Sequence, residues 1–280
     1  MSRAVVVVPC YNEAKRLNLW QIQDFGRRTS SVELLFVNDG SRDETPELLA
    51  HLHHCNPRCF NHLHLAANGG KAEAVRQGFL AALDSGADYI GFWDADLATP
   101  LSDIEPFCRV LDARPEIEIV TGTRMPLLGH KIQRQQLRRW LGRAFARTAS
   151  LALGVRIFDT QCGAKMFRVT PQLKPLFARP FLTRWIFDVE IFARVEQQCR
   201  AAGRSSLGEI LYEFPLDAWR DVAGSTLKKG DFAKAVVELA RIYWTYLSPL
   251  ARPVAPAPSS PAHPPADAPA PAARSDQQAA

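Results

Sequence analysis

Asp94 and Asp96, separated by a single alanine, follow the apolar run YIGFW. Two hard oxygen ligands so placed suit Mg²⁺ or Mn²⁺, and such an ion would also hold the diphosphate of a nucleotide. The same spacing fits a solvated turn or a helix-capping acid, so the pattern needs company. Asp39 supplies some, in Asn38-Asp39-Gly40 after a second apolar run, although an Asp-Gly pair is also a common turn signal. Asn68-Gly69-Gly70-Lys71 opens a helix after a third run. Its glycines let backbone approach a ligand, and Lys71 could meet a phosphate. It lacks the glycine spacing and the following Ser or Thr of a Walker A loop, and a plain strand-to-helix turn reads the same way.

The elements that position these residues can be read from hydropathy. Short β-branched or apolar runs at 5–8, 34–37, 62–65, 89–93 and 117–121 predict strands. Helical patterns lie between them at about 13–25, 44–54, 71–85 and 101–112. Strand and helix alternating at this spacing predict a parallel sheet with helices on both sides. Ligands of open parallel sheets bind at the carboxyl ends of strands, so the acidic loops should border one crevice. Ser41 with Glu44 reads as a capping box, and Thr99 before Pro100 as a cap with a proline at the first helical position. The second half predicts a basic helix at about 131–150, a turn-rich stretch at 158–168, a helix near 187–201, a strand near 209–214 and a helix at about 231–247.

Composition bounds the rest. Of 280 residues, 47% are apolar and 22% charged, enough for a globular core. Residues 253–280 hold 8 of the 20 prolines and are expected to be disordered, because Pro and Ala dominate them. No apolar run approaches the roughly 18 residues of a membrane span, and the start MSRAVVVVPCYNE has no cleavage site, so a cytosolic start is expected. Six scattered cysteines predict free thiols. His51, His53, His54, Cys55, Cys59, His62 and His64 crowd one segment, but Cys-x3-Cys is not a strong finger spacing and zinc is not expected.

Between residues 119 and 158 there is no Asp or Glu, while Arg124, Lys131, Arg134, Arg138, Arg139, Arg143, Arg147 and Arg156 are all basic. That concentration predicts an anionic partner for this segment. Arg139, Arg143 and Arg147 repeat every fourth residue, with Leu137, Leu141 and Phe145 on another face, as in a helix on an anionic membrane or a solvated face of a packed helix. Phe232, Val236, Ala240, Tyr243 and Leu247 form a second stripe beside Trp244 and Tyr246, suited either to an interface or to core. A non-catalytic nucleic-acid module is the rival reading. No groove-reading or base-stacking motif supports it, and no nucleic acid is expected.

In chain order VVVVPCYNE, LLFVNDGSRDET, NGGKAEAVRQGF, FWDADLATP, TGTR, DTQCGAKMFR and RWIFDVEI resemble the inverting family 2 glycosyltransferases. Within them the resemblance is to the branch that makes dolichyl-phosphate or bacterial polyprenyl-phosphate sugars. It covers about residues 4–227 and implies a GT-A fold, a Rossmann-like, mainly parallel sheet flanked by helices. The implied domain is 1–252, with a nucleotide-sugar half to about 123 and an acceptor half from 124. The implied reaction moves a hexose from a UDP-glucose or GDP-mannose type donor to a polyprenyl phosphate, with inversion and a divalent metal, on the cytoplasmic face of a membrane.

By the same resemblance, Pro9, Tyr11, Glu13 and Asp39 would line the nucleobase and ribose pocket. Asp94 would orient the sugar or ribose, and Asp96 would hold Mg²⁺ or Mn²⁺ on the diphosphate. Arg124, Lys165 and Arg168 would face donor or acceptor phosphates. Independently of the resemblance, Lys71 could meet a phosphate from its loop, and Arg138 and Arg139 of the acid-free basic segment could capture a lipid phosphate. Asp159, Asp188 and Glu190 would approach the reacting centre, or serve as buried partners of a neighbouring arginine. The mannosyl branch has Gln two positions after the second Asp, where this chain has Ala98, which favours the glucosyl branch. The usual glycine after the lysine is Ala72. A lipid phosphate is already anionic and needs no strong base, whereas a hydroxyl acceptor would need Asp159 or Asp188 as one.

Overall fold

The computed structural model describes residues 2–125, 128, 131–133, 136–220 and 231–251, with side chains placed for all but 131–141, 220 and 231–233. Residues 253–280, and the side chains of Arg138, Arg139 and Phe232, lie outside this set. Strand β1 (Ala4–Cys10) is an unbroken apolar run because both its faces are covered. Val5 and Val7 enter one core, while Ala4, Val6 and Val8 enter the other.

Helix α1 (Leu19–Arg28) leads to β2 (Val32–Asn38), α2 (Thr45–Cys55) to β3 (Phe60–His64), α3 (Lys71–Ala82) to β4 (Tyr89–Trp93), and α4 (Ile104–Ala113) to β5 (Ile119–Thr123). There follow β6 (Lys131–Gln133), α5 (Gln136–Leu153), β7 (Ala164–Arg168), α6 (Leu173–Ala178), α7 (Phe187–Ala202), α8 (Leu207–Ile210), β8 (Leu211–Pro215) and β9 (Ala218–Arg220). Last comes α9 (Asp231–Ile242), which passes into a π-helical turn, Tyr243–Leu247. Seven strands form one sheet in the order β3-β2-β1-β4-β7-β5-β8. Strand β7 runs antiparallel to both its neighbours and every other pair is parallel. Strands β6 and β9 make a separate parallel pair.

One core packs α3, α5, α6, α7 and α9 against the sheet, and the other packs α1, α2 and α4. Phe79 of α3 stacks on Phe177 of α6 with ring centroids 4.0 Å apart. Truncating such a ring to alanine costs about 3–5 kcal/mol. Helix α5 turns Phe145, Ala149 and Leu153 inward and leaves Arg143 and Arg147 exposed.

Several expectations shift. The first helix begins at residue 19, not 13, because the Glu13 and Ala14 amides bond Thr45 Oγ1 and Asp43 Oδ2, and Asn18 caps instead. Ser41 makes no capping box: its hydroxyl accepts from Asn12 N at 3.0 Å, and α2 starts at Thr45 without a side-chain cap. A capping box stands at Ser206 and Glu209, ahead of α8. A 3₁₀ turn, Leu101–Asp103, precedes α4. The turn-rich stretch 158–168 contains β7. In the last helix and its π-helical turn the buried residues are Ala235, Leu239, Ile242, Tyr246 and, from the expected stripe, Leu247, which leaves Val236, Val237 and Trp244 exposed. Among the described residues no helix is long and apolar enough to cross a membrane.

Candidate active site

Because β2, β1 and β4 are parallel neighbours, their carboxyl ends bring three loops side by side. They enclose a crevice of about 230 Å³ lined by Pro9, Tyr11, Glu13, Arg16, Asp39, Lys71, Asp94 and Asp96. The loop after β1 is tied to the loop after β2, since Asn12, in the left-handed region at φ 53°, accepts from Arg42 N at 2.9 Å. Tyr11 is exposed at the mouth. Arg16, which the sequence did not single out, lies 3.3 Å from Glu13 Oε1, while Glu13 Oε2 is buried with no partner among the described residues. Burial, with Asp96, Asp43 and Asp94 nearby, holds the Glu13 carboxyl above its ordinary range despite Arg16.

Asp39 is buried at the crevice wall and both its carboxylate oxygens bond backbone: Oδ1 accepts from Gly69 N and Oδ2 from Gly70 N, each at 2.7 Å. Gly70 is required there by its φ of 90°. This carboxylate therefore fixes the entry to α3 and so places Lys71. The Lys71 ammonium sits 2.5 Å from Asp94 Oδ1 and over the Phe187 ring. Burial pulls its pKa down, but Asp94, Asp188 and Asp96 outweigh this and hold it above the ordinary lysine value. Asp96 accepts from Ala98 N at 3.1 Å, and burial and Asp94 raise its pKa. Left-handed Leu97, φ 52°, turns the chain between Asp96 and Ala98.

Two carboxylates and one lysine make an incomplete cation site. Among the described residues no three His, Cys, Asp or Glu side chains gather to hold a metal. The pair Asp94 and Asp96, with its excess of negative charge, fits a hard cation that takes its remaining ligands from diphosphate oxygens and water. His53, His62 and His64 stack edge to face at 5.3 and 4.8 Å, while Cys55 lies beside His51 and Cys59 is buried against Val32 O.

The remaining expected site residues separate into three groups. Arg124 and Asp159 grip each other in a fork, with Nε to Oδ2 at 2.6 Å and Nη2 to Oδ1 at 2.8 Å, and the guanidinium lies over Trp219. Beside them opens a cavity of about 820 Å³, whose wall includes Arg143, Arg147, Arg156, Phe145, Leu151 and Phe158. Lys165 is fully buried, 2.6 Å from Asp188 Oδ1 and 2.7 Å from Cys162 O, between Phe92 and Phe192. It meets a carboxylate, not an open phosphate site. Glu190 is also fully buried and bonds Arg194, the arginine partner foreseen as the alternative. Arg168 pairs across β4 with Tyr89, at the end of that strand opposite Asp94. Its guanidinium caps the carbonyls of Leu111, Arg114 and Ile117, so it does not join the crevice.

The family profile described as Glycosyl transferase family 2 matches residues 5–171. The chain is 30% identical over 248 residues to dolichyl-phosphate beta-glucosyltransferase ALG5C of Trichomonas vaginalis, covering 84% of this chain and 69% of that protein. It is 31% identical over 266 residues to dolichyl-phosphate beta-glucosyltransferase of Saccharomyces cerevisiae, covering 86% and 74%. Among solved structures it is similar in fold to glucosyl-3-phosphoglycerate synthase of Mycobacterium tuberculosis in complex with Mn²⁺, UDP and glucosyl-3-phosphoglycerate. That match has a TM-score of 0.61 at 15% identity, covering 87% of this chain and 80% of that one.

Proposed function

The chain belongs to glycosyl transferase family 2, and from that premise we propose that it moves a hexose from a nucleotide-diphosphate sugar to a polyprenyl phosphate with inversion at the anomeric carbon. The observation that carries the acceptor assignment is the 820 Å³ cavity beside Arg124, where three further arginines share the wall with Phe145, Leu151 and Phe158. A phosphate on a hydrocarbon chain needs that mixture of cations and apolar surface. The two carboxylates available as a base for a hydroxyl acceptor, Asp159 and Asp188, are each held by a cation. An acceptor that arrives already ionised has no need of them.

In this reading the crevice takes the donor. Glu13 Oε2, a buried acceptor with no partner among the described residues, awaits a donor group from the base or ribose. Asp96, with Asp94 beside it, would hold Mg²⁺ or Mn²⁺ together with the diphosphate. What the ion supplies when bound is neutralisation of the charge that grows on the leaving diphosphate. Lys71, kept protonated by its acidic neighbours, stands ready for the same charge, and Asp94 orients the sugar. Arg124 faces the acceptor side, aligned by Asp159. The named activity of the relatives and the UDP in the solved neighbour make UDP-glucose the first donor to test.

Exposed Val237, Trp244 and Leu250, with basic Arg143 and Arg147 on neighbouring α5, support peripheral docking on the anionic cytoplasmic face of a membrane. On this reading the glycosyltransferase domain spans 1–252, with the donor half ending near 123. A screen of UDP-glucose and GDP-mannose against polyprenyl phosphate in detergent, with Mg²⁺ or Mn²⁺, tests the whole reading. Nucleoside diphosphate release matched by lipid-linked sugar is expected. Sugar appearing only on a hydroxyl acceptor would transfer the assignment to that class.

A further inference from the structure

The carboxylate of Glu190 on α7 joins the π-helical turn that follows α9 to residues 182 and 183, beside the donor crevice. Oε1 accepts from Leu182 N at 3.0 Å, Arg194 Nη2 at 2.8 Å and Tyr246 OH at 3.0 Å. Oε2 accepts from Thr183 N at 3.0 Å and Thr183 Oγ1 at 3.1 Å. A buried charge with this many donors is fixed in place, and it fixes them in turn. Arg194 closes the other side by donating to the carbonyls of Leu176, Arg179 and Pro180, with Phe181 under its guanidinium. Residues 176–183 are thereby pinned from one helix face.

The next residue, Arg184, is exposed, yet it reaches back to the donor loop. Its Nη2 donates to Gly69 O at 3.3 Å, and its guanidinium would stand only 3.1 Å from a Cβ on Gly70. Gly69 and Gly70 are the two amides held by Asp39, and Lys71 follows them. A long exposed side chain keeps such a contact only where its backbone is already placed. Tyr246 belongs to the π-helical turn that ends α9, and such turns occur disproportionately at functional positions. On the same turn Trp244 is exposed.

We propose that Tyr246 and Glu190 are positioning residues for donor binding, setting residues 182–184 so that Arg184 holds the Gly69-Gly70-Lys71 loop closed on the nucleotide sugar. The π-helical turn after α9 thereby governs how tightly the donor is held. This rests on the donor assignment above. Tyr246→Phe removes one hydroxyl and keeps the ring; Arg184→Ala changes an exposed residue; Thr183→Val removes a second bond to the same carboxylate. Titration of each with UDP-glucose and Mn²⁺, beside thermal melting, supplies the readout.

Tyr246→Phe is expected to raise the dissociation constant about fivefold, with kcat at saturating donor near that of the parent. Arg184→Ala should act in the same direction, and the double variant should bind about as weakly as the weaker single one, not at the product of the two effects. Should Tyr246→Phe fail to fold, Thr183→Val with Arg184→Ala must show the same non-additive pattern. A lowered melting temperature with unchanged donor affinity, or strictly multiplicative effects, would overturn the proposal. Parent protein that binds no UDP-glucose would sink the donor assignment and the proposal with it; parent that binds it as the variants do sinks the proposal alone.

Discussion

Asp94 and Gly163 fit together without clearance: Asp94 N donates to Gly163 O at 3.1 Å, and a Cβ on Gly163 would run into the Asp94 carboxylate. Gly163 is not in the left-handed region, so the requirement is for space, not for backbone freedom. Because Asp94 also anchors Lys71, displacing it would disturb both groups assigned to the donor. Gly163→Ala is expected to lower transfer by about 100-fold, the scale of a misplacement near 1 Å at a reacting centre. A transfer assay beside a thermal melt checks this, and full activity would mean that Asp94 is not needed where it stands.

Asp96→Asn tests the metal assignment and carries a stability sign. Burial and the Asp94 charge raise the Asp96 pKa in the fold, so the ionised form is disfavoured relative to the unfolded chain at pH values above the ordinary aspartate pKa. The variant should therefore melt no lower than the metal-free parent at neutral pH, while losing about 100-fold or more in transfer. For the parent, affinity for Mn²⁺ should fall on acidification, starting at higher pH than for an ordinary aspartate. Turnover unchanged at saturating Mn²⁺ would remove Asp96 from the metal site.

The three strands that deliver the crevice were legible because burial on both faces leaves unbroken apolar runs, as in Val5 to Val8, Leu34 to Val37 and YIGFW. Strand β7 was not, because AKMFR carries a lysine and an arginine in a strand of a buried sheet. Both charges are answered from afar: Lys165 by Asp188 of α7, and Arg168 by carbonyls around the end of α4. A cation that faces a phosphate and one that caps carbonyls look alike in one dimension. The Ser41 and Glu44 pattern failed for a similar reason, since Asn12 takes the Ser41 hydroxyl.

Arg168 separates the two roles experimentally. Arg168→Met should lower stability by about 1–3 kcal/mol, the range for leaving buried acceptors without their donor. The donor KM should stay at the parent value, because the guanidinium is at the far end of β4 from Asp94. Denaturant melts and steady-state kinetics report the two quantities separately. A donor KM raised several-fold without loss of stability would return Arg168 to the phosphate site.

Arg143 and Arg147 lie one helical turn apart on the exposed face of α5, and both line the large cavity with Arg156. If that cavity receives the lipid phosphate, Arg143→Gln with Arg147→Gln should raise the apparent KM for polyprenyl phosphate about tenfold, as loss of charge-assisted bonds to an anion would. Fold stability should barely change, since neither side chain enters the core and Phe145, Ala149 and Leu153 keep the inner face. Donor affinity should hold, because none of the residues that line the crevice at the carboxyl ends of β1, β2 and β4 belongs to this helix. For the parent, binding to anionic vesicles should weaken as salt rises, the screening length falling to about 3 Å at 1 M. A loss of donor affinity in the double variant would instead place these arginines at the diphosphate, and parent-like behaviour toward both substrates would leave them a solvated face.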